Sequence, residues 1–274
     1  SQPLFIEKEL ISFIQVRAQH DDLGGISFGG TSTLFKDSFH EGMIIEPIKI
    51  KESGKTKEDI FNLIVRNSRQ PNLLHDDLSA KISVLNLGAL QLKELTKRYG
   101  KNELKACFSD LLRESKEAFE NLIEKNINDG EWKVKKSIAP DHFEGNNHIH
   151  LTLTKRDKQL SLNFAGSSDQ SQGPINCPLY GNGVKFINRL LTPFLLQLEN
   201  DSEQRNSIRV NDGACKKLDI ILPDTRTLVT PDFPAPTSLR LLTISSIISG
   251  FTELLFKASS GKTRVGFENL NTFS

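Results

Sequence analysis

The sequence predicts an α+β fold with mixed sheet elements, a long antiparallel helix pair and a C-terminal strand-helix segment. Alternating apolar residues mark strands near the start and again from residue 148, four-apart apolar spacing marks two long helices between them, and a last apolar stripe marks a helix near the C-terminus. Strands, helices, strands and a helix in that order favour mixed layers over an all-helical or all-strand architecture.

The chain enters as strand material, SQPLFIEKELISFIQVRA. From Leu10 the even positions Ser12, Ile14, Val16 and Ala18 read as the buried parity, and His20 and Asp22 continue it. Gly24-Gly25 and Gly29-Gly30 then punctuate a loop, and residues 43–51 read as a second extended segment whose Pro47 suits an edge or a break. Thr56 with Asp59 gives a capping-box-like start to DIFNLIVRN. After Pro71 the stripe Leu78, Ile82, Leu85, Ala89, Leu92 and Tyr99 predicts a helix that stops at Gly100. Leu104, Phe108, Leu111, Leu112, Phe119, Leu122 and Ile123 predict another that ends near Asn128-Asp129-Gly130, and the short turn between the two predicts an antiparallel pair.

Beyond the helices, residues 148–154 alternate, 155–158 can turn, and Leu160, Leu162 and Phe164 alternate again, which is a hairpin pattern. A loop rich in Gly, Ser and Pro leads to a helix around residues 184–198. Residues 208–222 read as mixed and extended, DTRTLVTPDFPAP is punctuated by proline, and residues 238–256 read as helix.

Bulk composition bounds the function. A chain of 274 residues can bury a substantial core as one large domain or two packed ones. It reads as a single region over 1–274, with a subdivision into 1–130 and 131–274. The 35 basic and 34 acidic side chains nearly cancel, so no global field argues for nucleic acid or a membrane surface as partner. Cys107, Cys177 and Cys215 form no CxxC pair, which fits a reducing, cytoplasmic compartment. The most apolar windows, 186–198 and 239–256, are interrupted by Arg189 and Pro193 and by Arg240 and Glu253, short of the roughly 20 residues of a span. No N-terminal signal pattern is present, so a soluble chain is expected.

Several stretches offer chemistry. In RAQHDDLGG, His20 and Asp22 share a strand face, so both could converge on one divalent ion; equally, the strand could leave the core at His20 and the acids could serve a turn. His75-Asp76-Asp77 precedes a periodic helix and reads as capping. His148 and His150 lie opposite Ile149, Leu151 and Leu153 and are expected to face solvent. In the loop 164–178, Gly166, Gly173, Pro174 and Pro178 set a tight path for Ser167, Ser168, Asp169, Gln170, Gln172 and Asn176, a composition suited to a polar ligand or a partner backbone. Cys177 reads as a structural thiol, and the loop carries neither a GxGxxG nor a phosphate-loop pattern.

RAQHDDLGG, GGTST, EGMIIEPIKI, DIFNLIVRNSRQP, HDDLSAKI, LKELTKRYG and FAGSSDQSQGPINCP stand in an order that resembles the hydantoinase B family, the subunit type of ATP-dependent N-methylhydantoinases, 5-oxoprolinases and acetone carboxylase alpha-type enzymes. The words run in register across residues 17–178. Asn211-Asp212-Gly213 and the run TPDFPA from Thr230 look like degraded continuations.

The resemblance implies a subunit working beside a hydantoinase A-like partner. That partner binds ATP and Mg and phosphorylates a carbonyl or enol oxygen, and the B-type subunit completes ring-amide hydrolysis or carboxylation. Phosphorylation turns a poor electrophile into one with a leaving group, which a metal-bound water or carboxyl donor can then attack. It further implies that His20 and Asp22 are the second histidine and the aspartate of the family's HHxDxGG metal word, with Gly24 and Gly25 its glycines; Gln19 replaces the first histidine. Gly24, Gly25, Asp169, Gly173, Pro174 and Asn176 are the expected substrate or subunit-contact residues, and no catalytic residue is assigned. The family's upstream NDP…GGTH…PD word does not precede Ser1, which implies a separate chain carrying it, its removal, or a noncatalytic assembly or regulatory relative. A plain small-molecule-binding α+β domain is the reading that remains without the resemblance.

Overall fold

The computed structural model describes residues 1–138 and 146–263. The chain divides into two compact units, residues 1–31 with 39–110 and residues 32–38 with 111 onward, so the division falls inside a helix rather than near residue 130.

In the first unit β1 (Gln2–Ile6) and β2 (Glu9–Ile14) form an antiparallel hairpin. Its turn residues Glu7 and Lys8 both have positive φ, the twist that a two-residue hairpin turn requires. The strand ends at Ile14, short of the expected run, yet the parity of burial persists: Val16 and His20 are half-buried and Asp22 is buried, whereas Gln15, Arg17, Gln19 and Asp21 are exposed. Ala18 breaks the pattern and is exposed.

Residues 43–51 do not form the expected extended strand. Only Lys51 enters β3 (Lys51–Glu52), which pairs with β4 (Lys55–Thr56). That pairing takes Thr56, so α1 (Glu58–Arg66) starts from Lys57 with no side-chain cap and the capping box does not form. The buried Phe61, Ile64 and Val65 of α1 meet Leu74 and Leu78 of α2 (Pro71–Tyr99), with Leu23, Ile50, Ile60 and Ile82 packed around them.

Pro71 opens α2, where its missing N–H costs nothing, and Gly100, at φ 90, closes it. Because the helix begins at Pro71, His75, Asp76 and Asp77 lie within it and cannot cap it. A single residue separates α2 from α3 (Lys101–Asn126), and α2 packs on α1 and the β1–β2 hairpin. Gly88 allows that approach, since a Cβ there would stand 3.2 Å from Ile14 Cγ2.

The second unit is built on a four-stranded sheet in the order β5 (Gly130–Ser137), β6 (His148–Arg156), β7 (Gln159–Asn163), β8 (Leu218–Ile221). The β6–β7 hairpin forms where the alternation placed it, and β8 adds in parallel to β7. Next, α4 (Asn182–Leu191) tightens into the 3-10 turn Thr192–Leu198, where Pro193 supplies no N–H for an α-helical bond. Two short helices, α5 (Ser202–Ser207) and α6 (Asp212–Cys215), are capped by Asp201 and Asn211.

The last helix, α7 (Arg240–Ala258), has the length and hydropathy of a membrane-crossing helix, yet Ile247, Phe251, Leu254 and Leu255 are completely buried. It packs on β5 and β6, where Gly250 admits Leu151, and is the core helix of this unit.

Candidate functional site

In the first unit, Asp22 sits at the centre of the segment that follows the hairpin. Its carboxylate is fully buried and accepts four N–H donors: Arg69 N at 2.7 Å and Gly24 N at 3.4 Å on Oδ2, Arg69 Nη1 at 2.8 Å and Gly29 N at 3.4 Å on Oδ1. Burial pushes this carboxyl up, but the backbone N–H groups of Arg69 and Gly24 and the Arg69 guanidinium together hold it below the ordinary value. Arg69 also donates to Gly25 O at 2.6 Å. Gly24 and Gly25 both have positive φ, and a Cβ on Gly25 would lie 2.5 Å from His40 O, so these glycines let the loop close tightly over the carboxylate.

His20 is held from α2. Its Nδ1 lies 3.1 Å from Asp77 Oδ2, and its Nε2 faces the ammonium of Lys81, which donates in addition to Ala18 O at 3.2 Å. Asp77 and Lys81 are one helical turn apart and grip the ring together. Burial pulls the Lys81 ammonium down, opposed by the charge of Asp77. His20, Asp21, Asp22, Ser68, Gln70, Leu73, Leu74 and Asp77 line one small crevice.

The sequence places the expected pair on one face, and the structure keeps both in this crevice. As placed, they do not fit a divalent ion. Both carboxylate oxygens and both ring nitrogens already have partners, and two of those partners are cations. Among the described residues no group of three or more His, Cys, Asp or Glu gathers around an ion-sized space.

The second unit carries a cleft of about 780 Å³ lined by Thr33, Lys36, Asn146, Asn147, His148 and the loop from Gly166 to Gly173. The histidines of β6 do not simply face solvent: His148 Nδ1 lies 2.8 Å from Ser168 Oγ and its Nε2 3.2 Å from Gly166 O, and His150 Nδ1 lies 2.8 Å from Ala165 O. They clasp the loop to the sheet. Asn176, completely buried, fixes the far side, where its Oδ1 accepts from Ser171 N and its Nδ2 donates to Ser171 O, Gly173 O and Pro236 O.

Pro174 is buried behind the wall and accepts from Leu239 N at 2.8 Å. Asp169 and Gln172 stand exposed on the cleft side. Cys177 is the structural thiol expected, buried and pushed up to about 12 by desolvation. Of the loop residues singled out in the sequence, then, Asp169 and Gly173 reach the cleft while Pro174 and Asn176 shape it. Arg69 and Lys81 carry no local signal, and Asp77, read as a cap from its sequence, instead holds His20, because nothing local links these three to residues 47 to 61 positions away.

A family model described as hydantoinase B/oxoprolinase matches residues 1–266. An uncharacterized protein of Methanocaldococcus jannaschii is 30% identical over 94% of this chain and 42% of its own length. The B-type subunit of a putative D-/L-hydantoinase from a Pseudomonas species is 26% identical over 98% of this chain and 45% of its own. Among solved structures, the ATP-dependent caprolactamase from Pseudomonas jessenii superposes with a TM-score of 0.78 at 22% identity, covering 95% of this chain and 43% of that one. Acetone carboxylase in its nucleotide-free form gives 0.73 at 18% identity over 94% and 34%. The chain thus spans less than half the length of these relatives. With the match running from the first hairpin through α7, the chain belongs to the hydantoinase B/oxoprolinase family.

Proposed function

We propose that the chain is part of a B-type subunit in a cytoplasmic, ATP-dependent hydrolase of cyclic amides, of the hydantoinase or 5-oxoprolinase kind, or in an acetone carboxylase-like enzyme. A hydantoinase A-like partner holds ATP and Mg and phosphorylates the substrate oxygen. Family membership across residues 1–266 carries this reading, supported by relatives named as the B-type chain of a hydantoinase, the beta chain of caprolactamase and the delta chain of acetophenone carboxylase.

Within this chain, the polar cleft of the second unit is the part suited to a small polar ligand. Its wall is pre-organised by Asn176, His148 and His150, so binding costs little ordering of the loop. Asp169, whose carboxylate takes no hydrogen bond from a described residue, offers an acceptor for an amide N–H, and Gln172 offers both a donor and an acceptor. Gly173 keeps the backbone accessible beside them, while Pro174 and Asn176 fix its path. Gly24 and Gly25 act in the first unit by closing the loop over Asp22.

The test is coexpression of the full-length protein with a hydantoinase A-like subunit, followed by measurement of ADP release on hydantoin, 5-oxoproline and caprolactam, and of ADP release with bicarbonate fixation on acetone. Substrate-dependent ATP cleavage that requires both subunits is the expected result. A second reading, an assembly or regulatory subunit without turnover, is favoured by one observation: Gln19 stands where the family's metal word begins with histidine. Stable copurification with the partner and no substrate-dependent ADP release on any of the four compounds would select it.

A further inference from the structure

We infer that this chain closes the His20–Asp22 site with its own cations, Arg69 and Lys81, so that the site stands without a metal ion. Three observations carry the inference. Asp22 has no lone pair to spare: a carboxylate accepts about four hydrogen bonds, and four N–H donors surround this one inside a fully buried side-chain environment. His20 has no ring nitrogen to spare either. Lys81 can only donate, so Nε2 is the acceptor, and Nδ1 therefore carries the proton that it gives to Asp77. A histidine ligand needs one nitrogen lone pair for the ion and uses the other nitrogen for an orienting partner. Here Asp77 is that orienting partner, and the Lys81 ammonium occupies the direction an ion would take.

Charge makes the same point. Asp22 faces Arg69 and Asp77 faces Lys81 across a neutral imidazole, so each of these two acids already has its own base, while Asp21 stands exposed at the rim. A divalent ion entering this arrangement would add two positive charges beside two cations in a partly buried crevice, where like charges are poorly screened. The site's work is then mechanical. Arg69, by holding Asp22 Oδ1 and Gly25 O, and Lys81, by holding His20 and Ala18 O, tie residues 18–25 to α2 and the turn before it. This inference stands apart from the proposed activity, since it concerns ion binding and stability and not turnover.

The experiment uses the full-length protein, stripped with EDTA, reloaded separately with Zn2+ and Mn2+, desalted and analysed for metal by plasma mass spectrometry, with thermal midpoints recorded in each state. Wild type is expected to keep less than about a tenth of an equivalent at this site and to shift its midpoint by less than about 1 °C on loading. His20→Gln and Asp22→Asn separate sites: an ion retained equally by wild type and both variants lies elsewhere and supports the inference. In folded protein, a full equivalent that either variant loses, together with a raised midpoint on loading, would overturn it. Because Asp22→Asn can fail to fold, histidine-ring nitrogen NMR on the wild type gives an independent reading. The neutral Nδ1–H form of His20, unchanged on adding Zn2+, agrees with the inference, and a Zn2+-shifted Nε2 contradicts it.

Discussion

Arg69 meets Asp22 twice, through its backbone N–H at 2.7 Å and through Nη1 at 2.8 Å, and so fastens the loop after the first hairpin to the turn between α1 and α2. The two ends differ in exposure: the Asp22 side chain is 0% exposed and that of Arg69 43%.

Removing the cationic end leaves a buried anion with fewer partners. Arg69→Met is expected to destabilise the first unit by about 2 to 3 kcal/mol, below the roughly 3 to 5 that breaking a fully buried pair costs because Arg69 is partly solvated. Asp22→Asn, which removes the charge that needs a partner, should cost less than Arg69→Met. Urea unfolding followed by hydrogen exchange at the amides of Gly24 and Gly29 measures both, and equal losses would show that the charge is not what matters there.

The pH profile follows from the same carboxylate and from Glu9, which the ammonium groups of Lys101 and Lys105 hold down to about 2 from 4.5. Both groups have native values below their unfolded ones, so the stability they contribute is full above about pH 5 and drains as pH falls through the native values. A stability curve that is flat from pH 5 to 7 and declines between roughly pH 4 and 2 is expected. Salt at 0.5 M should weaken the exposed Glu9 contribution and spare that of Asp22, on the order of the screening difference between surface and buried pairs. Carboxyl carbon NMR titration checks the assignment, and a Glu9 that titrates at its ordinary value refutes it.

Asn176 is a different kind of buried group, with no charge and every polar atom bonded to backbone. Asn176→Leu should strip the loop of its anchor and cost about 2 to 4 kcal/mol, since Ser171 N and three carbonyls lose a partner at once. Asn176→Asp keeps the acceptor for Ser171 N but buries a carboxylate whose second oxygen faces three carbonyls, so at pH 7 it should cost at least as much as Asn176→Leu. Thermal unfolding ranks the three proteins, and a wild-type-like midpoint for Asn176→Leu would mean that the loop path is held by something else.

Thiol chemistry should follow burial. Cys107 is exposed, Cys215 intermediate and Cys177 buried with its thiol pushed up to about 12. Iodoacetamide at pH 8 should therefore alkylate Cys107 first and leave Cys177 intact until the protein unfolds, as peptide mass spectrometry would show. Early labelling of Cys177 in folded protein would contradict its burial.

Some of this protein is written locally. Pro71 and Gly100 bound α2 because a missing N–H and a left-handed φ act within one turn of the chain, and the β6–β7 hairpin follows from strict alternation on either side of a short turn. The parity that sets Asp22 inward and Asp21 outward was also legible, although the strand itself stops at Ile14. Other features needed the folded chain. The capping box at Thr56 yielded to a strand pair with Lys51, and the packing of α2 on α1 and the hairpin depends on which apolar faces find partners. Above all, sequence alone could nominate His20 and Asp22, because strand parity is a property of neighbouring residues. Only the tertiary structure could bring Arg69, Asp77 and Lys81 to them, because the charges that decide what those two residues can hold arrive from 47 to 61 residues away through the docking of α2.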